Sequence, residues 1–263
     1  SVRVTGVVKS GFSVRATDDI VIGDYIDDKG FVCAGGKVAV LHGVTGEGAH
    51  VQAGGSVQAK FINYARVECR GDLLIDEYIY NARVHCGGSI AVRGHYGERK
   101  TGAIIGGSVV AARAIRAVSI GSDTGAGTTV VAGVDMEVLT ELRRQEVRIS
   151  KSHEAVRQLK RHLGMESLNP RDIRNMILRF SGDHKKRVGR LVEKMATVLK
   201  QQSEAEERKK ECQAQMAQVA RGARIAVGRQ IASNTKVRLG ELSPRAGLFD
   251  GLEGFSLYVR NDN

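Results

Sequence analysis

The fold is indicated by a segment that occurs twice, first as Phe61-Ile62-Asn63-Tyr64-Ala65-Arg66-Val67 and again as Tyr78-Ile79-Tyr80-Asn81-Ala82-Arg83-Val84. Five columns of similar residues extend this repeat from the start of the chain to Ala111. One column is aliphatic throughout and comprises Ile20, Val38, Val57, Leu73, Ile90 and Val109, with steps of 18, 19, 16, 17 and 19. A period of this length, with like residues in register, is typical of a solenoid.

Each repeat reads apolar-x-small-x-Gly-x-apolar-x-apolar, which places the apolar side chains of two short strands on one face. A second apolar column consists of Val14, Val32, Val51, Val67, Val84 and Ala103. The column at the corner consists of Asp18, Gly36, Gly55, Gly71, Gly88 and Gly107. Glycine at a corner fits either a positive φ or a close approach of two backbones. Because such coils stack about 4.8 Å apart, we predict a parallel β-helix.

Composition agrees with a solenoid, since the 263 residues include 32 glycines, two prolines and no tryptophan. The net charge is +11, and the segment 136–221, with 20 basic and 12 acidic residues, contributes +8 of it. No apolar run approaches the roughly 20 residues of a membrane span, and no signal pattern opens the chain, so we predict a cytoplasmic protein. The sequence starts within repeat-like residues without a methionine, and we expect a fragment of a longer protein.

The period changes to seven residues from Met136. One heptad column comprises Leu142, Ile149, Val156 and Leu163, and a later one comprises Leu191, Val198, Ala205, Cys212 and Val219. Both patterns predict coiled-coil helices, and the short connection between them favours an antiparallel hairpin. The later helix has a second apolar column with Val188, Met195 and Met216. Gln202 and Lys209 interrupt this column, so we expect a looser or wetter seam there.

Strand-like alternation resumes after Gly222, with Ile225, Val227, Val237, Leu239, Phe255, Leu257 and Val259. The hairpin is therefore predicted to interrupt the solenoid. We expect a mainly β protein with an α insertion, divided into a parallel β-helix at 1–135, a coiled-coil hairpin at 136–221 and strands completing the β-helix at 222–263.

The cysteines show neither CxxC spacing nor a neighbouring zinc-like histidine pair, so no metal site is predicted. Cys69 and Cys86 occupy one column on adjacent coils, where distance alone would permit a disulfide. We favour two reduced core thiols, because cytosolic disulfides are rare.

Other candidate chemistry is weak. Residues 94–101 resemble a phosphate loop without its second glycine, and strand residues follow where a helix is required. Residues 121–127 lack the lysine and are interpreted as a flexible exit from the solenoid. The carboxylate pairs Asp18-Asp19, Asp27-Asp28 and Asp76-Glu77 fit solvated corners, because adjacent strand residues point to opposite faces. His85 and Cys86 likewise point apart. We assign no catalytic, cofactor or metal residue and expect no enzyme.

The most suggestive polar feature is the basic cluster formed by Lys185, Lys186, Arg187 and Arg190. It is interpreted either as a solvated helical face or as a contact for an acidic partner, an anionic membrane surface or nucleic acid. No aromatic residues interleave with it, which disfavours single-stranded nucleic acid.

The corner glycines, the segment 60–67, Gly106-Gly107 and the interrupting hairpin together resemble the bacterial flagellar assembly protein A family. The resemblance covers nearly the whole chain, and family members carry a further N-terminal domain. It implies a right-handed β-helix that acts as a non-enzymatic scaffold in flagellar biogenesis, recruited to the cell pole or flagellar base. The implied partners are the flagellar assembly machinery and a sugar-phosphotransferase carrier protein, and homo-oligomers are also open.

A more local resemblance leads to an alternative. Residues 87–94 and 106–107 are similar to the β-helical C-terminal domain of the septum-site-determining protein MinC, which implies a division-site or polymer-forming adaptor. Two enzyme classes fit less well. Left-handed hexapeptide acyltransferases need coils of three sixes, which intervals of 16, 17 and 19 break. Polysaccharide-cleaving β-helices need sugar-stacking aromatics, and this chain has no tryptophan.

Overall fold

The computed structural model describes residues 1–94, 102–123, 126–164, 171, 175, 178, 181–240 and 255–258. They form two compact units, residues 1–137 with 216–263, and residues 138–215. The strands are β1 Val2–Val4, β2 Ser13–Ala16, β3 Ile20–Ile22, β4 Phe31–Ala34, β5 Val38–Val40, β6 Gly43–Thr45, β7 His50–Ala53, β8 Val57–Asn63, β9 Arg66–Cys69, β10 Leu73–Cys86, β11 Ile90–Val92, β12 Ala103–Ala111, β13 Ala114–Ile120, β14 Thr128–Ala132, β15 Arg224–Ile231, β16 Thr235–Leu239 and β17 Phe255–Tyr258. The helices are α1 Met136–Leu163 and α2 Gly182–Arg221.

The strands of the first unit stack in parallel on three sides, each with a column of inward residues. The first side has Val2, Ile20, Val38, Val57, Leu73, Ile90, Ile115 and Ile225. The second side has Val14, Val32, Val51, Val67, Val84, Val109, Val130 and Val237. The third side has Val8, Ile26, Val44, Ile62, Ile79, Ile104, Ile120 and Ile231. All three columns line one hydrophobic core, so the unit is a β solenoid.

The predicted register is confirmed through the first five coils. The two copies of the repeated segment stack directly, with Phe61 beside Tyr78 and Val67 beside Val84. Each apolar residue therefore lies on a like residue of the neighbouring coil. This arrangement lets every added coil extend the same core.

The predicted register of the sixth coil is wrong. Val109 stacks on Val84, whereas Ile115 continues the column of Ile90. Ala103 stacks on Tyr78 rather than on Val84. The reason is a longer coil, since the step from Val84 to Val109 exceeds every earlier step of that column. Alternating apolar residues occur on every side, so the sequence pattern also fits a register displaced from one side to another.

Close packing of backbones requires the glycines that directly follow three strands of the second side. These are Gly35, Gly54 and Gly87, each one residue before a glycine of the predicted corner column. A Cβ added to Gly35 would overlap the carbonyl oxygen of Thr17, and one added to Gly54 would overlap that of Gly35. A Cβ on Gly87 would lie 2.6 Å from the carbonyl oxygen of Arg70. None of these glycines has a positive φ, so close approach, and not a left-handed backbone, explains them. Gly107, by contrast, stacks on Ala82 and lies outside this corner.

A different corner, on the third side, is left-handed. Gly46, Tyr64, Asn81 and Gly106 all have positive φ, at 103°, 56°, 45° and 68° respectively. They follow stacked residues of neighbouring strands, since Thr45 pairs with Asn63 and Tyr80 pairs with Ile105. The column therefore accepts the non-glycine residues Tyr64 and Asn81 in a conformation that they adopt rarely.

The strands that follow α2 extend the parallel stacks. β15 pairs with β13, and β16 pairs with β14. β17 pairs antiparallel with β15, with Tyr258 opposite Arg224. An antiparallel strand ends the parallel pattern at this edge.

The second unit contains α1 except its first two residues and α2 except its last six residues. Its buried residues in the described part are Gln145, Val156, Leu159, Met195, Ala205 and Cys212. The amide of Gln202 lies 2.9 Å from the ring nitrogen Nε2 of His153, and Nζ of Lys209 lies 3.2 Å from Oε1 of Glu146. Both residues that interrupt the predicted apolar column thus have polar partners on the other helix.

Candidate partner-binding surfaces

The predicted basic cluster lies at the start of α2. Lys185, Lys186, Arg187 and Arg190 are all exposed, and Lys186, Arg187 and Arg190 share one helical face. Nζ of Lys186 lies 4.0 Å from Asp183 Oδ1. No carboxylate in the described part of the chain is within ion-pair distance of the other three. The cluster thus presents concentrated and largely uncompensated positive charge.

Helix energetics account for the basic end of α1 but not for the basic start of α2. The last turn of α1 contains Lys160, Arg161 and His162, where positive charge interacts favourably with the helix dipole. At the start of α2 positive charge is unfavourable within the first turn, which includes Lys185. Lys186 and Arg190 are also like charges four residues apart, which costs roughly 0.2–0.5 kcal/mol more. The cluster on α2 therefore opposes the stability of its own helix.

A polar network crosses the outer surface of the second side. It connects four successive coils, because outward residues of β2, β4, β7 and β9 lie beside one another. The guanidinium of Arg15 lies 4.8 Å from the ring centroid of Phe31. The ring of Phe31 meets that of His50 edge-on, with centroids 5.4 Å apart. We call the set Arg15, Phe31, His50, Gln52, Arg66 and Glu68 the second-side network.

Glu68 is the centre of the second-side network. Its carboxylate accepts hydrogen bonds from Arg66 Nε at 2.7 Å and from Gln52 Nε2 at 3.2 Å, and lies 3.7 Å from His50 Nε2. Burial alone would raise the pKa of Glu68, but the hydrogen bonds from Arg66 and Gln52 outweigh burial and lower it. Burial lowers the pKa of His50. At neutral pH the network therefore contains a charged carboxylate beside a neutral imidazole.

The repeat pattern does not predict the second-side network, although the residues of the network occupy regularly spaced outward positions. Its members occupy the outward positions of the same columns, including Phe31, His50 and Arg66 in one and Gln52 and Glu68 in the next. Those positions carry different residue types on each coil. An alignment restricted to like residues therefore passes over them.

The thiols of Cys69 and Cys86 are neighbours in the solenoid interior. The two residues are Cα partners on adjacent strands, and both are free cysteines. Their Sγ atoms donate to the carbonyl oxygen of Gly71 at 3.6 Å and 3.0 Å respectively. The hydrogen bond with Cys86 and burial raise the pKa of Cys69 well above its ordinary range. Cys69 is thus a protonated core residue at neutral pH and a poor nucleophile.

The carboxylates at the corners have structural roles. Asp19 Oδ1 accepts a hydrogen bond from the backbone NH of Lys37 at 2.6 Å. Asp72 Oδ1 does the same for Ser89 at 2.7 Å, and Asp28 Oδ1 for Gly48 at 2.9 Å. These side chains satisfy backbone donors of the next coil where the ladder is interrupted. Acid and base catalysis is not needed to explain them.

Two loops of the sequence are only partly described. In the segment 94–101 the residues 95–101 lie outside the described residues, and in the segment 121–127 the residues 124 and 125 do. Within the described ranges, no group of three or more His, Cys, Asp and Glu residues has the geometry to hold a metal ion. No helix of the described part is both long and apolar enough to cross a membrane.

Comparison with known proteins places this architecture in a family. Neither the curated proteins nor the solved structures include a match to the chain. A family model described as the flagellar assembly protein A β-solenoid domain matches residues 1–246. That span includes β1 to β16 and both helices, so it covers the stacked columns as well as the segment that separates β14 from β15. The chain therefore belongs to the flagellar assembly protein A family.

Proposed function

We propose that this member of the family is a non-enzymatic scaffold in bacterial flagellar assembly, which recruits a protein partner through the basic cluster on α2. The observation that supports this proposal is the position of Lys185, Lys186, Arg187 and Arg190. These residues are exposed, mostly uncompensated and unfavourable for the helix that carries them. A function in binding an acidic surface accounts for charge that local stability does not.

The scaffold in this proposal is a right-handed solenoid, residues 1–135 and 222–263, that carries an antiparallel coiled-coil hairpin, residues 136–221. The pairs His153 with Gln202 and Glu146 with Lys209 support the hairpin, because residue numbers rise along one helix as they fall along the other. The right-handed sense of the coils is what the resemblance to this family implies. The 28 residues of α1 extend about 42 Å at 1.5 Å per residue.

The partner in this proposal is a protein with an acidic surface. A sugar-phosphotransferase carrier protein and components of the flagellar assembly machinery are the candidates, and recruitment to the cell pole or flagellar base would result from such binding. Family membership favours this function over a division-site adaptor. Nucleic acid is the weaker alternative, because the basic cluster contains no aromatic residue for base stacking.

The experiment compares two variants of equal charge in a native host that lacks the gene. In the test variant, Lys185, Lys186, Arg187 and Arg190 are replaced by Glu. In the control, the exposed residues Arg143, Lys151, Lys200 and Lys210 are replaced by Glu. We expect the deletion to abolish swimming, the control to restore it and the test variant to fail, although both variants fold by circular dichroism.

Two other outcomes separate the parts of the proposal. Normal flagella and swimming in the deletion strain would contradict the function in flagellar assembly. Full restoration by the test variant, in a deletion strain that does not swim, would contradict binding through the basic cluster but leave the flagellar function in place.

A further inference from the structure

The third side of the solenoid carries an unusual concentration of aromatic side chains on its outer surface. Five of the chain's 12 Phe and Tyr residues lie there, and we call them the aromatic face: Tyr25, Phe61, Tyr64, Tyr78 and Tyr80. Tyr25 is 37% exposed and Tyr64 is 42% exposed. The residues of the aromatic face belong to the first unit and those of the basic cluster belong to α2, so a function of this face does not depend on the basic cluster.

The rings of the aromatic face are ordered by one another. Phe61 and Tyr78 stack with centroids 5.4 Å apart and an interplanar angle of 14°. Tyr64 and Tyr80 meet edge-on at 5.5 Å. The two ring pairs lie on the same two neighbouring coils, since Phe61 is three residues from Tyr64 on one coil and Tyr78 is two residues from Tyr80 on the next.

Two backbone features maintain this arrangement. A Cβ at Gly43 would lie 2.5 Å from the ring of Phe61, so only glycine lets that ring lie across the neighbouring coil in the direction of Tyr25. Tyr64 adopts a left-handed backbone, with φ of 56°, although its side chain remains exposed. The same conformation recurs at Gly46, Asn81 and Gly106, so the left-handed corner of the solenoid sets the position of this ring.

The aromatic face is also acidic, unlike the rest of the protein. Four of the eight coil segments of the third side bear or adjoin the aromatic face, namely 24–29, 42–48, 60–64 and 76–81. They contain two lysines and six carboxylates, namely Asp24, Asp27, Asp28, Glu47, Asp76 and Glu77, and Asp76 lies 3.9 Å from Arg93 of the next coil. Their net charge of −4 contrasts with +11 for the whole chain. Several of these carboxylates have partners within the fold, since Asp24 pairs with His42 at 3.0 Å and Asp28 accepts the hydrogen bond from Gly48.

Glu47 and Glu77 are the carboxylates that remain for a ligand. In the described part of the chain, neither forms an ion pair or a side-chain hydrogen bond. Glu77 directly precedes Tyr78 in β10, and burial together with the charge of Glu77 raises the pKa of Tyr78. An acidic group and several ring surfaces therefore occur side by side.

We propose that the aromatic face is a docking surface for a segment of a partner protein that is rich in arginine and lysine. Charge complementarity identifies this occupant, because anionic lipids and nucleic acids would be repelled by a surface of net charge −4. Guanidinium groups bind aromatic rings through cation–π contacts, and they pair with carboxylates in the same orientation. Tyr and Arg are also the residues that dominate the energetics of protein interfaces.

The test uses the whole chain and defined peptide probes. A fluorescein-labelled peptide of alternating Arg and Gly is titrated by fluorescence anisotropy, with a peptide of alternating Glu and Gly of equal length as the negative probe. We expect binding of the arginine peptide only. The double variant Tyr25→Ser/Tyr64→Asn removes two exposed rings and keeps a residue that tolerates a positive φ at position 64. It should weaken binding about fivefold.

A second variant addresses charge without altering any ring. Glu47→Gln/Glu77→Gln should weaken binding about threefold and reduce the dependence on salt. The matched controls are Phe12→Ser, an exposed ring outside the aromatic face, and Glu204→Gln/Glu207→Gln, two exposed carboxylates of α2. Both should bind as the wild type does, and so should the variant with Glu at positions 185, 186, 187 and 190.

Three outcomes would overturn the docking surface. These are equal binding of the glutamate peptide, unchanged binding in both face variants, and equal losses in the face variants and their controls. Self-association that is seen by sedimentation and lost in Tyr25→Ser/Tyr64→Asn would assign the surface to a second copy of this chain, and would also overturn the proposal of a different partner.

Discussion

The solenoid and the helical unit bury side chains in opposite ways. In the solenoid, each inner coil places an aliphatic residue on all three columns, and most of these residues are inaccessible to solvent. In the described part of the helical unit only six side chains are buried, and one of them is the polar Gln145. Its two helices also meet through exposed polar pairs, which contribute little stability each. The inward positions of the solenoid therefore tolerate few substitutions, whereas much of the surface of the helices can change.

The charges of the two regions follow the same division. Residues 1–135 contain 14 basic and 13 acidic residues, whereas residues 136–221 contain 20 and 12. On the solenoid, many carboxylates satisfy backbone donors at corners, such as Asp19 and Asp72. On α2, only Lys186 of the basic cluster has a carboxylate partner in the described part of the chain, namely Asp183. These carboxylates have a structural function in the solenoid, whereas the charges of the basic cluster are largely unpaired in the described part of the chain.

The largest loss of stability is expected from a substitution that disrupts an apolar column of the solenoid. Val57 is 1% exposed and stacks between Val38 and Leu73. Val57→Asp buries a carboxylate without a partner, and we expect it to lower the free energy of unfolding by about 4 kcal/mol or more. Urea denaturation measures the change. The control is Gln58→Asp, which places the same group on the next, exposed position of β8. Similar stability of the two variants would contradict the assigned column.

Much of the solenoid was predictable because its inner positions repeat. Stacking puts Val57 on Val38 and Leu73 on Val57, so the requirement for a like residue appears directly in the sequence. The sixth coil was not predictable in the same way. The longer step from Val84 to Val109 displaces the register, and alternation alone does not distinguish one side from another.

The surfaces were less predictable than the core, for a physical reason. The basic cluster was predictable from the sequence, because its four charged residues lie within the short segment 185–190. The aromatic face and the second-side network join residues from separate coils, such as Phe31 with His50 and Phe61 with Tyr78. Outward positions have no need for like neighbours, so they leave no repeat. Their contacts become visible only once the coils are stacked.

The second largest change in stability is expected from replacing a glycine, because the glycines of the solenoid and of α2 have different surroundings. Gly54→Ala would bring a Cβ against the carbonyl oxygen of Gly35, and we expect a loss of about 3 kcal/mol. Gly189 lies within α2, and in the described part of the chain no atom beyond the neighbouring helix backbone lies within 4 Å of an added Cβ. Gly189→Ala should therefore raise stability by about 0.5–1 kcal/mol, through helix propensity. Thermal unfolding of both variants tests the contrast, and a loss in both would show that the helical unit is as closely packed as the solenoid.

A third, smaller effect concerns the helical seam. Met195 is 1% exposed within α2. Met195→Ala should cost about 2 kcal/mol, the lower limit of the range for buried Met, because a narrow seam between two helices can partly collapse. The exposed neighbour Lys194→Ala is the control and should change stability little. If Met195→Ala were as damaging as Val57→Asp in urea denaturation, the two units would not differ in their tolerance.

The smallest expected effect is a dependence on pH that belongs to the solenoid. Burial lowers the pKa of His50 and of His85 below the unfolded value of about 6.5. As the pH falls through this value the unfolded chain takes up protons first, so stability decreases toward acid. A further decrease should begin below about pH 4.5, because the hydrogen bonds of Glu68 hold its pKa below the unfolded value.

Variants identify the groups responsible for that slope. His50→Gln/His85→Gln should flatten the decrease in melting temperature between about pH 7 and pH 5. Glutamine does not titrate, so these two positions no longer bind more protons in the unfolded chain than in the folded one. His153→Gln, in the helical unit, is the control and should keep the slope of the wild type. An unchanged slope in the double variant would show that the acid response has another source. A slope lost only in His153→Gln would assign the pH dependence to the contact with Gln202, and so to the helices rather than the solenoid.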